Sequence, residues 1–406
     1  MTGTDQTCDV AIIGGGVIGP ALALALAGVG FRVVLVDRLA AAERTDAAFD
    51  GRAFAVAVAS ARLLGQLAVW PGLEPKAAPI HSVEVTEGVP TGGPLLHFDP
   101  REAASGRVGW ILESRLLRQA LYQALEGQDR VKHLEAAAEG AVFDAGAAEV
   151  ALSSGATLRA RLVVAADGRR SRIAADAGVK RIGWRYGQTG LVSAIEHEEP
   201  HGGVAHQSFF PGGPFAVLPL PGNRSSLVWS ERTAVAEKIA ALSDEDYTAA
   251  VADRVGQRLG AIRTVGPRWS FPLDFSLAAD YAAPRLALAG DAAHGVHPIA
   301  GQGMNMGLRD IAALAEVVVE AARRGEDIGA LTVLQRYQRW RRFDASAMAL
   351  GMDALNRLFS NTWPVGTLRR AGLGMVDRIG GLRRRFMAEA TGEAGTVPRL
   401  LRGEAL

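Results

Sequence analysis

The chain has 406 residues, of which 49% are hydrophobic and 21% charged, with 44 lysines and arginines against 43 acidic residues. This composition excludes a disordered protein, and at about 150 residues per domain it predicts two or three domains. A net charge of +1 provides no field for nucleic acid, so we expect no nucleic-acid partner, and the single cysteine excludes an intrachain disulfide.

The first predicted unit is a strand, a glycine turn, a helix and a second strand. An apolar run at 8–13 leads into GGGVIG, and FRVVLVD at 31–37 ends on an acid. The uncharged stretch between them is long enough for a membrane span, but its clustered glycines favour the strand–turn–helix unit. Gly14, Gly16 and Gly19 have the G-x-G-x-x-G spacing, with Asp37 closing the next strand, which indicates a dinucleotide site without separating NAD from FAD.

The rest of the chain predicts one parallel sheet with a second layer inserted into it. Three apolar strands, ending at Asp37, Asp167 and Asp291, are expected in the same sheet. The other predicted elements, in chain order, are a helix at 54–68, strands within 80–98, a helix at 113–126, three short strands within 139–165, antiparallel strands within 186–231, a strand at 285–291 and long helices from about 303 to 390.

Two later motifs carry chemistry. AADGRRS at 165–171 places Asp167 and Gly168 at the end of a strand. LAGDAAHGVHPIAGQGMNMGLRD at 288–310 places Asp291 at a strand end and Gly301 and Gly303 at the start of a long helix. The start of a helix offers free N–H groups and partial positive charge, so this segment predicts an anionic or electron-rich ligand.

These motifs, each preceded by a strand, resemble those of the FAD-dependent aromatic hydroxylases of the para-hydroxybenzoate hydroxylase type. HPIAGQGMNMGLRD is similar to the signature of the branch that hydroxylates polyprenylated phenols in ubiquinone biosynthesis. Further resemblances to that branch are DGRAFAVA (50–57), GWILESRLL (109–117), FFPGGPFAVLPLPGN (209–223) and the spacing Asp353…Leu358-Phe359…Arg369. The family's DG motif usually carries an arginine three positions after its serine, where this chain has Ala174. That departure leaves the handling of pyridine nucleotide at this loop open.

The resemblance implies an α/β fold. It comprises an FAD-binding Rossmann-like domain of the glutathione-reductase type, an inserted antiparallel-sheet substrate domain and a C-terminal helical region. The expected FAD-binding domain is discontinuous, at 1–75, 105–180 and 281–325. The expected substrate domain is formed by 76–104 and 181–280, and the helical region by 326–406.

FAD is the implied cofactor, and no metal site is expected. By position, Gly14, Gly16 and Gly19 would hold the FAD pyrophosphate, and Asp37, with Arg38 beside it, the adenosine ribose. The remaining expected FAD contacts are Arg52, Arg115, Asp167, Asp291, Pro298, Gly301, Gly303, Met304 and Asn305.

The implied activity is that of a monooxygenase, an oxidoreductase in which O2 and reduced FAD form a C4a-hydroperoxide that hydroxylates a polyprenylated phenol. NADPH, NADH and a protein electron donor all stay open. Because the flavin carries the chemistry, the expected protein contribution is an apolar pocket rather than a particular catalytic side chain. The candidate pocket residues are Phe209, Phe210, Phe215, Leu218, Trp229 and Pro298, with ordinary sheet core as the alternative for the strand residues.

Two other functions stay open at this point. One is a hydroxylase of a small soluble aromatic acid, with Arg185 or Arg232 holding the carboxylate. The other is a non-catalytic FAD-binding scaffold of a lipid-biosynthesis complex, which Ala174 alone favours.

The stretch 368–386 has the pattern of a basic amphipathic helix, which suits an anionic membrane surface or packing on the protein's own core. We expect a cytoplasmic protein, with peripheral association with the inner membrane or with a biosynthetic complex left open.

Overall fold

A computed structural model of the chain describes residues 6–89, 94–99, 106–360 and 387–406. The strands are β1 (Gln6–Ile13), β2 (Val33–Asp37), β3 (Ala53–Ala57), β4 (Ala78–Ile80), β5 (Ser82–Glu87), β6 (Leu96–Phe98), β7 (Gly109–Glu113), β8 (Val131–Glu135), β9 (Ala138–Phe143), β10 (Ala148–Leu152), β11 (Thr157–Ala165), β12 (Arg181–His197), β13 (Val204–Phe210), β14 (Gly213–Leu220), β15 (Arg224–Arg232), β16 (Ile262–Ala278), β17 (Ala282–Ala283), β18 (Leu286–Leu288) and β19 (His294–Gly295). The helices are α1 (Ile18–Ala27), α2 (Ala41–Arg44), α3 (Val58–Gln66), α4 (Ser114–Glu126), α5 (Arg172–Asp176), α6 (Thr233–Ala240), α7 (Asp244–Val255), α8 (Gln302–Arg323), α9 (Leu331–Ser360) and α10 (Arg399–Arg402).

The first sheet is built around parallel strands. Its order is β17-β18-β11-β1-β2-β8, with β10 and β9 attached through β11. The pairs from β18 to β8 are all parallel, so their carboxyl ends lie at the same edge. β2 is buried along its whole length, as the apolar VVLV run predicts for a strand covered on both faces.

The second sheet is mixed rather than purely antiparallel. Its order is β19-β16-β12-β15-β14-β13-β5-β6. Hairpins join β13, β14 and β15, whereas β5 pairs with β13 in parallel. The expectation of an antiparallel substrate sheet is therefore corrected at this pair. The reason is chain order, because β5 arrives directly from β4 of a third sheet, β3-β7-β4, and not through a hairpin with β13.

The strands of each sheet come from one predicted domain, with two exceptions. β4, within 76–104, pairs with β7, and β19, within 281–325, joins the second sheet through β16. The domain boundaries themselves stay predictions.

Two long helices, α8 and α9, follow the last strands and pack against each other. The basic helix predicted at 368–386 lies outside the described residues. In the described part of the chain, no helix combines the length and apolarity needed to cross a membrane.

Candidate active site

Three sequence motifs meet at the carboxyl edge of the first sheet. The amide of Ala166, in the DG motif, donates to the carbonyl of Ile13 at 2.7 Å, just before the glycine turn. The amide of Ala289, just before the GD motif, donates to the carbonyl of Ala165 at 3.0 Å. The three motifs therefore lie side by side where open α/β sheets bind their ligands.

The glycine turn leaves open space at its middle glycine. A β-carbon on Gly14, whose φ is +118°, would lie 2.8 Å from the backbone nitrogen of Asp167. One on Gly19 would overlap the carbonyl oxygen of Gly14, whereas one on Gly16 would meet nothing within 4 Å. α1 starts just after this turn without a side-chain cap, so free N–H groups stand beside the open space. This arrangement suits a diphosphate.

Asp37 closes β2 and is buried beneath the glycine turn. Its carboxylate accepts hydrogen bonds from the amide of Gly15, from the amide of Leu39 at 2.8 Å and from the guanidinium of Arg44 at 2.8 Å. Tyr122 donates its hydroxyl to the carbonyl of Gly15 at 2.9 Å. Burial raises the pKa of Tyr122 to about 12, so the phenol keeps its proton and this bond at neutral pH. Asp37 and Tyr122 thus hold the turn from below.

Asp291 follows β18 and is held by an arginine of the DG motif. Arg169 donates from Nε to the Asp291 carboxylate at 3.0 Å. Its other nitrogens donate to the carbonyls of Asp274 and Val296, each at 3.1 Å. One guanidinium therefore ties the second sheet to the loop that leads into α8.

α8 begins at an uncapped end. Gly301 has φ +61°, and a β-carbon there would lie 2.9 Å from the β-carbon of Ala55. Asn305, in the first turn, accepts from the amide of Ala57 at 3.1 Å and donates to the carbonyl of Ala55 at 2.8 Å. These contacts fix the start of α8, and no side chain caps its first turn.

A cavity of about 1300 Å³ joins the start of α8 to the second sheet. Asp291, Pro298 and the first turn of α8 line one part of it. Its apolar lining comes from β5, β6, β13, β14, β15, β16 and α9, with Val83, Val85, Leu96, Phe209, Ala216, Leu218, Val228, Leu273, Met348, Met352 and Leu355 among the residues.

The structure places only part of the predicted pocket wall on this cavity. The predicted wall residues that line it are Phe209, Leu218 and Pro298. Phe210, Phe215 and Trp229 lie on the other face of the second sheet, where Phe215 and Trp229 meet edge to face at 5.7 Å beneath α6 and α7. The prediction for these three is wrong because side chains alternate along a strand, so that Ala216 and Val228 face the cavity instead.

The predicted FAD contacts divide between the cavity and its surroundings. Those that line the cavity are Arg52, Asp291, Pro298, Gly301, Gly303, Met304 and Asn305. Those outside its lining are Gly14, Gly16, Gly19, Asp37, Arg38, Arg115 and Asp167. Arg38 and Asp167 are exposed, and Arg115 pairs with Glu113 at 2.7 Å.

The cavity face of α9 was not predicted from the sequence. Met348, Met352 and Leu355 recur at helical spacing, and this periodicity is the signal that could have found them. Arg118 was not predicted either; it lines the cavity and lies 3.6 Å from the Asp50 carboxylate. The sequence around Arg118 is an ordinary amphipathic helix and carries no such signal.

Comparison with known proteins decides between the dinucleotides. A family model described as an FAD binding domain matches residues 7–349. The chain belongs to this family. Ubiquinone hydroxylase UbiL of Rhodospirillum rubrum is 46% identical to it, over 100% of this chain and 95% of the relative. The 3-demethoxyubiquinol 3-hydroxylase of Escherichia coli is 36% identical, over 96% and 100%.

A solved structure supports the same fold. The p-nitrophenol 4-monooxygenase PnpA from Pseudomonas putida matches with a TM-score of 0.79 at 19% identity, over 97% of this chain and 100% of that one. At this identity the likeness shows the fold alone. It therefore supports the predicted fold. The family and its relatives confirm FAD as cofactor and the class of enzyme, an FAD-dependent monooxygenase related to ubiquinone hydroxylases. The scaffold alternative is therefore set aside.

In this FAD-binding protein the departure at Ala174 has a packing explanation. Ser171 caps α5 by accepting from the amide of Ala174 at 3.1 Å. The side chain of Ala174 is 1% exposed and belongs to the main core, whereas Arg172 is exposed. An arginine at position 174 would have to enter that core, so α5 is packed here for a small residue.

His297 immediately precedes Pro298 but does not line the cavity. It is 1% exposed, and neither ring nitrogen has a hydrogen-bond partner among the described residues. Its ring meets Tyr186 edge to face at 5.2 Å. Burial, helped by the positive charge of Arg169, lowers the pKa of His297 to about 3, so the ring is neutral under ordinary conditions.

Proposed function

We propose that this monooxygenase hydroxylates the aromatic ring of a polyprenylated phenol in ubiquinone biosynthesis. The observation that carries the proposal is the continuity of the cavity from Pro298 and the start of α8 into apolar space along β5, β6 and α9. A ring beside Pro298 would leave an isoprenoid tail in contact with side chains such as Val85 and Met352. One relative is named a ubiquinone hydroxylase and the other a 3-demethoxyubiquinol 3-hydroxylase, and both names agree with this substrate class.

Bound FAD supplies the redox chemistry, taking electrons from NADPH, NADH or a protein donor and, with O2, providing the oxygen atom that enters the ring. We infer that its diphosphate lies over Gly16 at the start of α1. The isoalloxazine would lie along Pro298 and Gly301–Asn305, where the uncapped N–H groups of α8 stabilise negative charge on the reduced ring. The remaining proposed contacts are Gly14, Gly19, Asp37, Arg38, Arg52, Arg115, Asp167 and Asp291.

The protein's contribution to the reaction is to orient the phenol and to exclude water from it. Phe209, Leu218 and Pro298 provide an apolar surface against which the ring can lie. These side chains would exclude water from the space beside Pro298, where bound FAD would supply the oxygen atom.

The cavity offers little support for a small carboxylated substrate. Neither Arg185 nor Arg232 lines it. The arginines that line it, among the described residues, are Arg52, Arg118, Arg169 and Arg309, and each lies within 2.6 to 3.6 Å of a carboxylate oxygen. A substrate carboxylate would have to compete with those acids for a cation.

We also propose a cytoplasmic protein in peripheral contact with the inner membrane. Phe343 and Leu358 of α9 line the cavity and yet are 78% and 36% exposed, so the cavity reaches the surface beside apolar side chains. Leu350, on the same helix, is 50% exposed. An apolar rim of this kind suits collection of a lipid-soluble substrate from a bilayer.

A lipid profile of the source organism with this gene deleted tests the proposed substrate. We expect ubiquinone to fall and a prenylated phenol lacking one hydroxyl to accumulate, with recovery when the wild-type gene is restored. Normal ubiquinone without such an intermediate would contradict the proposal. With purified holoenzyme, product formed per flavin oxidised should be high for a prenylated phenol and low for a hydroxybenzoate, and the reverse order would favour the small-acid alternative.

A further inference from the structure

A buried carboxylate on α8 holds both ends of the turn that carries Asp291. Asp310 accepts a hydrogen bond from the amide of Gly290 at 3.0 Å, just before Asp291. The same oxygen lies 2.6 Å from Nε2 of His294, just after it, and the other oxygen accepts from Arg341 of α9 at 2.9 Å. The two ends of one turn and the helix α9 therefore meet at a single side chain of α8.

The network is sealed from solvent. Asp310 and His294 are both 0% exposed, and the side chain of Arg341 is 2% exposed. Burial alone would raise the pKa of Asp310, but the neighbouring His294 and Arg341 hold this pKa below its ordinary value. The ionised carboxylate only accepts hydrogen bonds, so Nε2 of His294 must carry the hydrogen between them.

Asp291 itself is not fixed by burial. Its side chain is 45% exposed and pairs with Arg169 at 3.0 Å. Gly290 has φ +61°, a conformation that few other residues adopt readily, and the amide of Ala293 closes the turn on the carbonyl of Gly290 at 2.8 Å. The backbone of the turn, which Asp310 anchors, therefore places Asp291, and the ion pair with Arg169 holds its exposed carboxylate.

We propose that Asp310 is a positioning residue for the FAD site: through Gly290 and His294 it fixes the turn that presents the Asp291 carboxylate to the cofactor. The inference rests on the proposed contact between Asp291 and FAD. It does not depend on which phenol is the substrate.

The test measures the FAD dissociation constant of refolded apoprotein by flavin fluorescence, alongside urea unfolding of the same apoprotein. D310N should raise the dissociation constant at least about tenfold, because an amide cannot accept from all three donors. In H294Q the glutamine amide can still donate to Asp310, so the FAD dissociation constant should rise by a smaller factor. If Asp310 acts through Asp291, the double variant D310N/D291N should bind FAD no more weakly than D291N alone.

A matched control separates positioning from general stability. Asp327 also accepts from a buried arginine, Arg285 at 2.7 Å, and from a backbone amide, that of Gly329 at 3.2 Å, but at the opposite end of β18. D327N should lower the unfolding free energy and leave the FAD dissociation constant within about twofold of wild type. The inference is overturned if D310N changes only apoprotein stability, if D327N weakens FAD equally, or if D310N and D291N are additive. If D291N leaves FAD binding unchanged, the proposed Asp291 contact is overturned too, whereas the proposed substrate is judged separately by the lipid profile.

Discussion

A β-carbon on Gly19 would overlap the carbonyl oxygen of Gly14 and lie 3.2 Å from its carbonyl carbon. The first turn of α1 therefore rests directly on the turn that leads into it, with room only for a hydrogen atom. This contact sets where α1 begins and so where its N–H groups point. A β-carbon on Gly16, between the two, would meet no protein atom within 4 Å. Gly19 is therefore required by the fold, whereas Gly16 leaves space for a ligand.

Gly19→Ala and Gly16→Ala should separate folding from cofactor binding. The first places a methyl group against backbone that cannot move aside, and we expect the unfolding free energy to fall by about 3 kcal/mol or more. The second meets no protein atom and should leave the apoprotein stable. It should raise the FAD dissociation constant at least about tenfold, because the methyl group occupies space proposed for the diphosphate.

Gly65→Ala is the control for this pair, since a β-carbon at that helical position also meets nothing within 4 Å. It should leave FAD binding unchanged and, because alanine is the better helix former, raise the unfolding free energy by about 1 kcal/mol or less. Urea unfolding of apoprotein and FAD fluorescence titration measure the two effects. Normal FAD binding by Gly16→Ala would contradict the diphosphate placement, and a stable Gly19→Ala would contradict the close contact.

Adjacent residues of β14 should respond oppositely to substitution, because they face opposite sides of the second sheet. Phe215 is 1% exposed beneath α6 and α7, so Phe215→Ala should cost about 3–5 kcal/mol of unfolding free energy. Ala216 lines the cavity, so Ala216→Phe should fill cavity space and raise KM for the prenylated phenol at least about fivefold, with a stability change of about 1 kcal/mol or less.

The two readouts, urea unfolding and steady-state kinetics, are compared for both variants and wild type. A normal KM for Ala216→Phe would show that the substrate does not use this part of the cavity. A large stability loss in that variant, equal to that of Phe215→Ala, would contradict the assignment of the two faces.

Much of the fold was predictable because it depends on local patterns. The glycine spacing, the apolar strands and their acidic ends predict the parallel sheet. The glycine spacing is informative because the close backbone contacts at Gly14 and Gly19 leave no room for a side chain. The parallel pairing of β5 with β13 was not predictable, because it depends on where a strand from an earlier segment enters the sheet. No periodicity within residues 82–87 encodes that neighbour.

The cavity wall was predicted less well for a related reason. The alternation in β14 and β15 shows that Phe215 and Ala216 face opposite ways, but not which face lies beneath helices and which lies on the cavity. Of the aromatic residues predicted on the pocket wall, Phe209 lines the cavity, whereas Phe215 and Trp229 form the core beneath α6 and α7. The cavity face kept small and aliphatic residues, among them Ala216 and Val228, which leave volume for a ligand.

His297 should make the apoprotein less stable as the pH falls. Its folded-state pKa of about 3 lies below the ordinary value of 6.5, so between these values the unfolded chain binds the proton more readily. Unfolding free energy attributable to His297 is therefore fully present above pH 6.5 and is lost towards pH 3, at up to about 1.4 kcal/mol per pH unit. His297→Leu should remove this contribution.

Urea unfolding at pH 7.5, 6.5 and 5.0 measures the difference in unfolding free energy between the His297→Leu apoprotein and the wild-type apoprotein. The difference in unfolding free energy should change by only about 0.4 kcal/mol between pH 7.5 and 6.5, and should shift in favour of the variant by up to about 2 kcal/mol at pH 5.0. Parallel stability curves across the whole range would show that His297 is not held neutral by burial.

Phe343→Ser should weaken binding to anionic phospholipid vesicles while leaving the fold intact. Phe343 lines the cavity and is 78% exposed, so its loss removes apolar surface where the proposed membrane contact occurs, without opening a core. Val142→Ser is the matched control, because Val142 is 71% exposed on β9 of the first sheet and does not line the cavity. Sedimentation with vesicles should show a several-fold smaller bound fraction for Phe343→Ser and no change for Val142→Ser, with equal urea midpoints. Equal sedimentation of all three proteins would place any membrane contact elsewhere on the surface, because the exposed aromatic ring would then contribute nothing to it.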